Sequence, residues 1–265
     1  MKWAIIGLGY ISQKHIDSIK SINGKLVAVC DIDESKKIDG IPFYTSYKEM
    51  IDETDADWIA VCAPNYLHLE MCLYAEKKGK KVLCEKPLTL NSKDISKLKN
   101  TYVVLQLRYH QVLNEILESL KEQNDVSMNI TVKRGESYWK GWKGDESKSG
   151  GVLFNIGIHY FDVLRLLFGD KYEIVESFIS PSLAVGFINF PNANVEYRVE
   201  VSPTDAARYI DVNGKRFAFS YAESLALEDL HKVVYEELKV GRGLKASEAI
   251  NGIKLVESLK KFIDF

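Results

Sequence analysis

The chain has 265 residues, which at about 100–200 residues per domain predicts one large domain or two modest ones. Apolar residues make up 46% and charged residues 27%, so a globular core is expected and neither disorder nor a coiled coil fits. With 35 basic residues against 37 acidic ones the formal charge is −2, and no segment gathers the basic excess that a nucleic-acid backbone requires.

The first hundred residues alternate short β-rich runs with helical spacing. Trp3-Ala4-Ile5-Ile6 ends in glycines, Leu26-Val27-Ala28-Val29-Cys30 ends at Asp31, and Trp58-Ile59-Ala60-Val61-Cys62 ends at Ala63-Pro64. Val82-Leu83-Cys84 ends at Glu85-Lys86-Pro87, and Tyr102-Val103-Val104-Leu105 leads into Gln106-Leu107-Arg108. Strands apolar on both faces suit a parallel sheet covered by helices, and residues 11–22 and 66–79 have the spacing of those helices. A doubly wound βαβ domain over residues 1–107 is predicted, a Rossmann architecture.

From about residue 126 the pattern changes. Residues 128–134 and 195–201 alternate with period two, and further strands are predicted near 174–179, 183–190, 207–212 and 215–219, with Asn213-Gly214 as a hairpin turn. Amphipathic helices are predicted over 152–168, 224–239 and 246–263. Residues 108–265 are thus expected to form an α+β domain with an open, mainly antiparallel sheet, and the ligand site is expected between the two domains.

No run reaches the roughly 18–20 apolar residues of a membrane span, and Met1-Lys2-Trp3-Ala4-Ile5-Ile6 passes straight into Gly7 without a signal core. Cys30, Cys62, Cys72 and Cys84 form no CxxC pair and no metal-ligand spacing. Buried free thiols, a reducing cytoplasm and no metal site are the expectation.

Gly7-Leu8-Gly9-Tyr10-Ile11-Ser12 reads GxGxxS after the first strand, with Ser12 where the fingerprint usually has its third glycine. The two glycines permit a tight turn and close approach of a pyrophosphate to a helix N-terminus. Asp31 lies 22 positions after Gly9 at the end of the second strand, where a carboxylate accepts from both adenosine ribose hydroxyls and repels a 2′-phosphate. NAD is therefore favoured over NADP. Glu85-Lys86-Pro87 ends a strand on the same sheet edge. A strand-end lysine is ordinarily a surface charge, but here it is placed to hydrogen-bond a substrate hydroxyl, with Glu85 as a partner for its ammonium. On the helix after Gly150-Gly151, Asn155, His159 and Asp162 recur at i, i+4 and i+7 and share one stripe of an ideal α-helix.

Four blocks in order resemble one known family. They are GLGYISQKH at the start, CAPNYLH at 62–68, VLCEKP at 82–87 and GGVLFNIGIHYFD at 150–162; together they resemble the glucose-fructose oxidoreductase/inositol dehydrogenase/MocA family. The resemblance implies NAD(P) on the Rossmann domain, with the turn Gly7–Ile11 (Tyr10 included) on the pyrophosphate and Ala63, Pro64, Asn65, His68, Glu85 and Lys86 along the nicotinamide side. It implies that Lys86 and His159 flank the carbon that loses hydride, either of them serving as base, and that the open sheet carries a homodimer or homotetramer. Most members have aspartate where this chain has Asn155, and the stretch from Trp142 to Gly169 resembles UDP-N-acetylglucosaminuronate 3-dehydrogenases of surface-polysaccharide synthesis. A UDP-sugar acid oxidised at C3 is the substrate this implies, with Arg108, Arg134 and Lys143 toward its anionic groups and Tyr138 and Trp142 toward sugar or uracil. A dehydrogenase of a free sugar or cyclitol and a catalytically silent NAD-sensing regulator are the alternatives.

Overall fold

The computed structural model describes residues 1–219 and 230–262. It divides into two compact units. One is Met1–Gln106 with a later segment ending at Ile250; the other begins at Leu107 and resumes at Asn251.

In chain order the first unit opens with β1 (Lys2–Ile6), α1 (Ser12–Ser21), β2 (Lys25–Cys30), β3 (Phe43–Tyr44) and α2 (Tyr47–Glu53). It continues with β4 (Trp58–Val61), α3 (His68–Lys77), β5 (Lys81–Cys84) and β6 (Thr101–Val103). The six strands form a parallel sheet in the order β3-β2-β1-β4-β5-β6. The chain reverses direction across the sheet between β1 and β4, so the carboxyl ends of those strands mark the topological switch point where α/β folds bind ligands. Ala4, Ile5, Ile59, Ala60, Val61, Val82 and Leu83 are all buried, as continuous apolar strands covered on both faces must be.

The second unit contains α4 (Val112–Ser119), β7 (Asn124–Lys133), a short α5 (Glu146–Ser149) and α6 (Ile158–Phe168). It continues with β8 (Glu173–Ile179), β9 (Leu183–Phe190), β10 (Ala193–Ser202), β11 (Ala207–Val212) and β12 (Lys215–Ala218). The sheet order is β12-β11-β7-β10-β9-β8, antiparallel except for the central β7–β10 pair. Along β10 burial alternates: Val195, Tyr197 and Val199 are buried, while Asn194, Glu196 and Arg198 are exposed, so one face of the sheet packs and the other is open. Asn213 and Gly214 have φ of +52° and +82°, the two left-handed residues a tight hairpin turn needs.

The helix predicted over 152–168 is two elements. Leu153–Gly157 winds as a π-helix before α6 begins. Gly157 packs under the Phe161 ring of α6 and against β10: a Cβ there would lie 2.8 Å from that ring and 3.6 Å from the Val199 side chain. The whole helical run Glu146–Phe168 is long and apolar enough to span a membrane by length and composition, but 72% of its most apolar window is buried within the protein. It is the core helix of its unit.

The last described elements are α7 (Leu230–Lys239) and α8 (Ile250–Lys261). The sequence reading assigned everything beyond residue 108 to the second domain; the structure returns the α7 segment to the first. Tyr235 of α7 packs its ring 4.7 Å from that of Trp3, which stacks in turn on Trp58 at 5.0 Å. Burying these rings fixes α7 against the Rossmann sheet, a contact that no local periodicity encodes. Residues 224–229 of the predicted helix lie outside the described residues.

Candidate active site

The turn after β1 is built on Gly7. Its φ is +91°, and a Cβ there would lie 2.7 Å from the carbonyl oxygen of Cys62. The Gly7 N–H donates to Cys30 O at 2.8 Å, which ties the turn to the end of β2. Ser12 is buried, and its hydroxyl donates to Gly9 O at 2.6 Å, so a small polar residue takes the third fingerprint position. Helix α1 then starts without a side-chain cap and without an acidic residue in its first turn. Its positive end suits the anionic pyrophosphate of a dinucleotide. Tyr10 is 81% exposed beside this turn.

Asp31 directly follows β2, the position that the sequence analysis gives to the ribose acceptor. Its Oδ2 accepts from Leu8 N–H at 2.7 Å, its Oδ1 from Asp33 N–H at 3.0 Å, and Lys36 Nζ reaches both oxygens at 3.0 and 3.1 Å. Burial pushes this carboxyl upward, but the two backbone donors and the Lys36 ammonium outweigh it and hold Asp31 below the usual carboxylate range. The grip of Lys36 on Asp31 is a finding of the structure.

At the end of β5, Glu85 is 7% exposed. The sequence reading gave it the Lys86 ammonium as partner. The structure gives it two imidazoles: His15 Nε2 at 2.9 Å and His231 Nε2 at 3.0 Å, both on Oε1. Burial would raise this carboxyl, but the bonds from His15 and His231 hold it well below its ordinary range. Its Oε2 accepts from Lys86 N–H at 3.3 Å, Lys86 is half-buried, and the Lys86–Pro87 peptide is cis.

His68 is an internal brace. Its Nδ1 faces Pro87 O at 2.8 Å and its Nε2 faces Ala63 O at 2.7 Å, so it links the exits of β4 and β5. A neutral imidazole has one N–H, so the two carbonyls favour a second proton. Burial opposes that more strongly, and the pKa is lowered. Asn65 is buried beside this brace, at the start of the 3-10 turn Asn65–Leu67 capped by Pro64.

Within the second unit, Asn155 donates from Nδ2 to the hydroxyl of buried Tyr138. Burial raises the Tyr138 phenol, against the Arg134 charge and the Asn155 bond. Lys143 Nζ lies 5.1 Å from the Tyr138 ring centre and 5.9 Å from that of Trp142; burial, then the nearby Arg134 charge, lowers its pKa. Trp139, Lys143, Glu146, Ser149 and Lys260 line a pocket in this unit. Asn155, Tyr138, Lys143 and Trp142 are thus linked in one group by these contacts, with the Arg134 charge acting on Tyr138 and Lys143.

The segment carrying Asn155, His159 and Asp162 is not one unbroken α-helix: Leu153–Gly157 winds as a π turn ahead of α6, and such turns recur at functional sites. Arg108 was expected on a substrate anion, but its Nε and Nη2 are held by Asp162 at 2.7 and 2.8 Å. Its planar fork, the feature that suits carboxylate or phosphate, is thereby engaged. His159 is half-buried on α6.

A family model described as "Oxidoreductase family, NAD-binding Rossmann fold" matches residues 1–111, and its companion "Oxidoreductase family, C-terminal alpha/beta domain" matches residues 111–220. Among curated proteins, glucose-6-phosphate 3-dehydrogenase of Bacillus subtilis (strain 168) is 29% identical over 198 residues, 66% of this chain and 56% of that protein. Myo-inositol 2-dehydrogenase of Thermotoga maritima is 28% identical over 196 residues, 66% of this chain and 57% of that protein. The matches thus span little more than half of these curated relatives. Among solved structures, the WlbA (WbpB) dehydrogenase from Thermus thermophilus, in complex with NAD and alpha-ketoglutarate, has a TM-score of 0.87 at 30% identity over 99% of this chain and 96% of that one. The same enzyme with NAD and UDP-GlcNAcA gives a TM-score of 0.86 at 30% identity, over 99% and 95%. With the glycine turn, the strand-end carboxylate and both domains accounted for, this chain belongs to the Gfo/Idh/MocA family of oxidoreductases, whose N-terminal domain is an NAD-binding Rossmann fold.

Proposed function

We propose that this protein is an NAD-dependent dehydrogenase that oxidises the C3 hydroxyl of a UDP-N-acetylhexosaminuronate to the 3-keto sugar nucleotide, a step toward surface-polysaccharide sugars. The observation that carries the reading is the 30% identity over 99% of the chain with a WlbA dehydrogenase crystallised with NAD and UDP-GlcNAcA. When bound, NAD supplies the hydride acceptor. Asp31, charged and held by Leu8 and Asp33, would receive the adenosine ribose diol, and the turn Gly7–Ile11 the pyrophosphate. Lys86 and His159 would handle the C3 hydroxyl. His159 is the base in this reading, because imidazole titrates near neutrality, and Lys86 polarises the same oxygen. Asn155, whose amide exchanges no proton, is fixed by Tyr138 and orients the sugar. Arg134 and Lys143 would take the uronate or diphosphate, with Tyr138 and Trp142 against the sugar or uracil. Lys86→Ala and His159→Ala are expected to keep NAD affinity and lose hydride transfer; native turnover in both would refute the assignment.

A second reading, oxidation of a free or phosphorylated sugar or a cyclitol, is favoured by the glucose-6-phosphate and inositol dehydrogenases at 28–29% identity. Following NADH absorbance with UDP-GlcNAcA, glucose 6-phosphate and myo-inositol in parallel separates the two. We further propose assembly through the open sheet face into a homodimer or homotetramer, supported by Phe178 on β8 and Phe187 on β9, both exposed. A cytoplasmic home accords with free Cys30, Cys62, Cys72 and Cys84.

A further inference from the structure

His15, Glu85, His231 and Tyr235 lie far apart in the chain and meet in the interior of the first unit, at most 7% exposed. His15 comes from α1, Glu85 from the end of β5, and the other two from α7. The hydrogen-bond pattern assigns their protons. Glu85 Oε1 can only accept while ionised, so both histidines present Nε2–H to it, at 2.9 and 3.0 Å. His15 Nδ1 is then an acceptor, and Tyr235 donates its hydroxyl to it at 2.7 Å. The His15 ring stands edge-on to those of His231 and Tyr235, with centroids 5.2 and 5.7 Å away. On the other side of the carboxylate, Oε2 receives Lys86 N–H. The carboxylate is thus held on one oxygen by α1 and α7 and on the other by the backbone that carries Lys86.

We propose that His15, His231 and Tyr235 are positioning residues for Lys86, acting through Glu85: they fix its carboxylate in one orientation, and Glu85 fixes the strand exit from which Lys86 projects. The inference rests on the reading of Lys86 as a residue that handles the substrate hydroxyl. A buried carboxylate with two donors keeps its charge and its rotamer; with one donor removed, it takes a proton more readily and turns. Among the described residues, the other titratable groups around it are Cys62 at the exit of β4, Cys84 on β5, His68 on α3 and Lys86 itself. The two thiols are pushed up by burial and so stay neutral, and His68 is held by carbonyls. The imidazoles of His15 and His231 are therefore the groups that set the state of Glu85.

Three variants and one spectrum test this. His231→Leu removes a donor; His231→Gln keeps an N–H near the Nε2 position; Tyr235→Phe keeps the ring beside Trp3 and removes only the hydroxyl. His231→Leu is expected to lower kcat about 10–100-fold with NAD affinity unchanged, and to bring Glu85 protonation into the acid limb of the kcat/KM profile, which His159 alone sets in the native protein, so that the limb moves up. His231→Gln is expected to restore the limb, and Tyr235→Phe to shift it part of the way. A fall in kcat with an unmoved limb in both His231→Leu and Tyr235→Phe overturns the proposal, because a general packing defect does that. If His231→Leu does not fold, Tyr235→Phe and His231→Gln decide alone. Independently of substrate, 15N-histidine spectra of the intact protein are expected to show His15 and His231 as Nε2–H tautomers, with His15 changing in Tyr235→Phe. An Nδ1–H tautomer at either histidine, or one equivalent of tightly held divalent metal by elemental analysis, overturns it. Lys86→Ala is measured alongside. Native turnover there overturns the catalytic reading and this inference together, whereas an inactive Lys86→Ala with unmoved profiles in the other variants overturns the inference alone.

Discussion

Arg108 and Asp162 form a two-pronged ion pair inside the second unit, Nε to Oδ2 at 2.7 Å and Nη2 to Oδ1 at 2.8 Å, with side chains 10% and 2% exposed. It clamps the segment before α4 to the middle of α6. Removing one partner leaves the other charge buried, so Asp162→Ala and Arg108→Ala are each expected to destabilise the protein by about 3–5 kcal/mol. Replacing both by apolar residues of similar size is expected to cost much less. Urea unfolding of the single and double variants measures the difference, and equal losses in all three would contradict it.

In the proposed reading Asp31 sets the nucleotide preference, and Lys36 sits on it. Asp31→Ala is expected to weaken NAD binding about 10–100-fold, the loss of two hydrogen bonds to a charged acceptor. The same change removes the charge that repels a 2′-phosphate and releases the Lys36 ammonium to pair with one, so NADP affinity is expected to rise. Calorimetric titration with both nucleotides checks the direction of each change.

Gly7→Ala puts a methyl group into the Cys62 carbonyl, 2.7 Å from the site of its Cβ, at a φ of +91°. The left-handed backbone alone costs about 1–2 kcal/mol for an L-residue, and relieving the clash must shift the turn. The expected result is a lower melting temperature together with at least about tenfold weaker NAD binding. Gly9→Ala, where no atom lies within 4 Å of the added carbon, is the comparison and is expected to leave stability nearly unchanged.

Burial lowers the pKa of His15, His68 and His110. Each is therefore more readily protonated in the unfolded chain than in the fold, and stability rises with pH wherever the unfolded state binds the extra protons. Their contribution is complete above the ordinary histidine value of about 6.5 and is lost as pH falls below it. The unfolding free energy is expected to climb from pH 5 to pH 7 and then level, with a slope of at most about 1.4 kcal/mol per histidine per pH unit, and the melting temperature to follow it. Melts in buffers of matched ionization enthalpy test this; a curve flat from 5 to 7 would contradict it.

What the sequence revealed was local in origin. Strands such as Trp58–Val61 are apolar on both faces, and only a covered parallel sheet accepts that; Asn213-Gly214 specifies its turn by two backbone conformations; Gly7 and Asp31 are placed by short-range spacing. What it concealed depends on contacts across the chain. His15 and Tyr235 are separated by 220 positions, and neither has a periodic signature that names the other. Arg108 is paired with Asp162, 54 positions on, so a guanidinium that looked ready for a substrate anion is structural. The π turn at Leu153–Gly157 is invisible to a 3.6-residue period.

The return of α7 to the first unit has a consequence for biosynthesis. The ribosome releases all six strands of the Rossmann sheet well before it makes Tyr235, the ring that seats against Trp3, or His231, the second donor to Glu85. The nascent nucleotide-binding half must wait, its first tryptophan lacking this cover, while an entire second sheet is translated. A polypeptide stopped near residue 107 would carry the glycine turn and Asp31 yet lack this closing wedge, because the first unit is discontinuous in the gene.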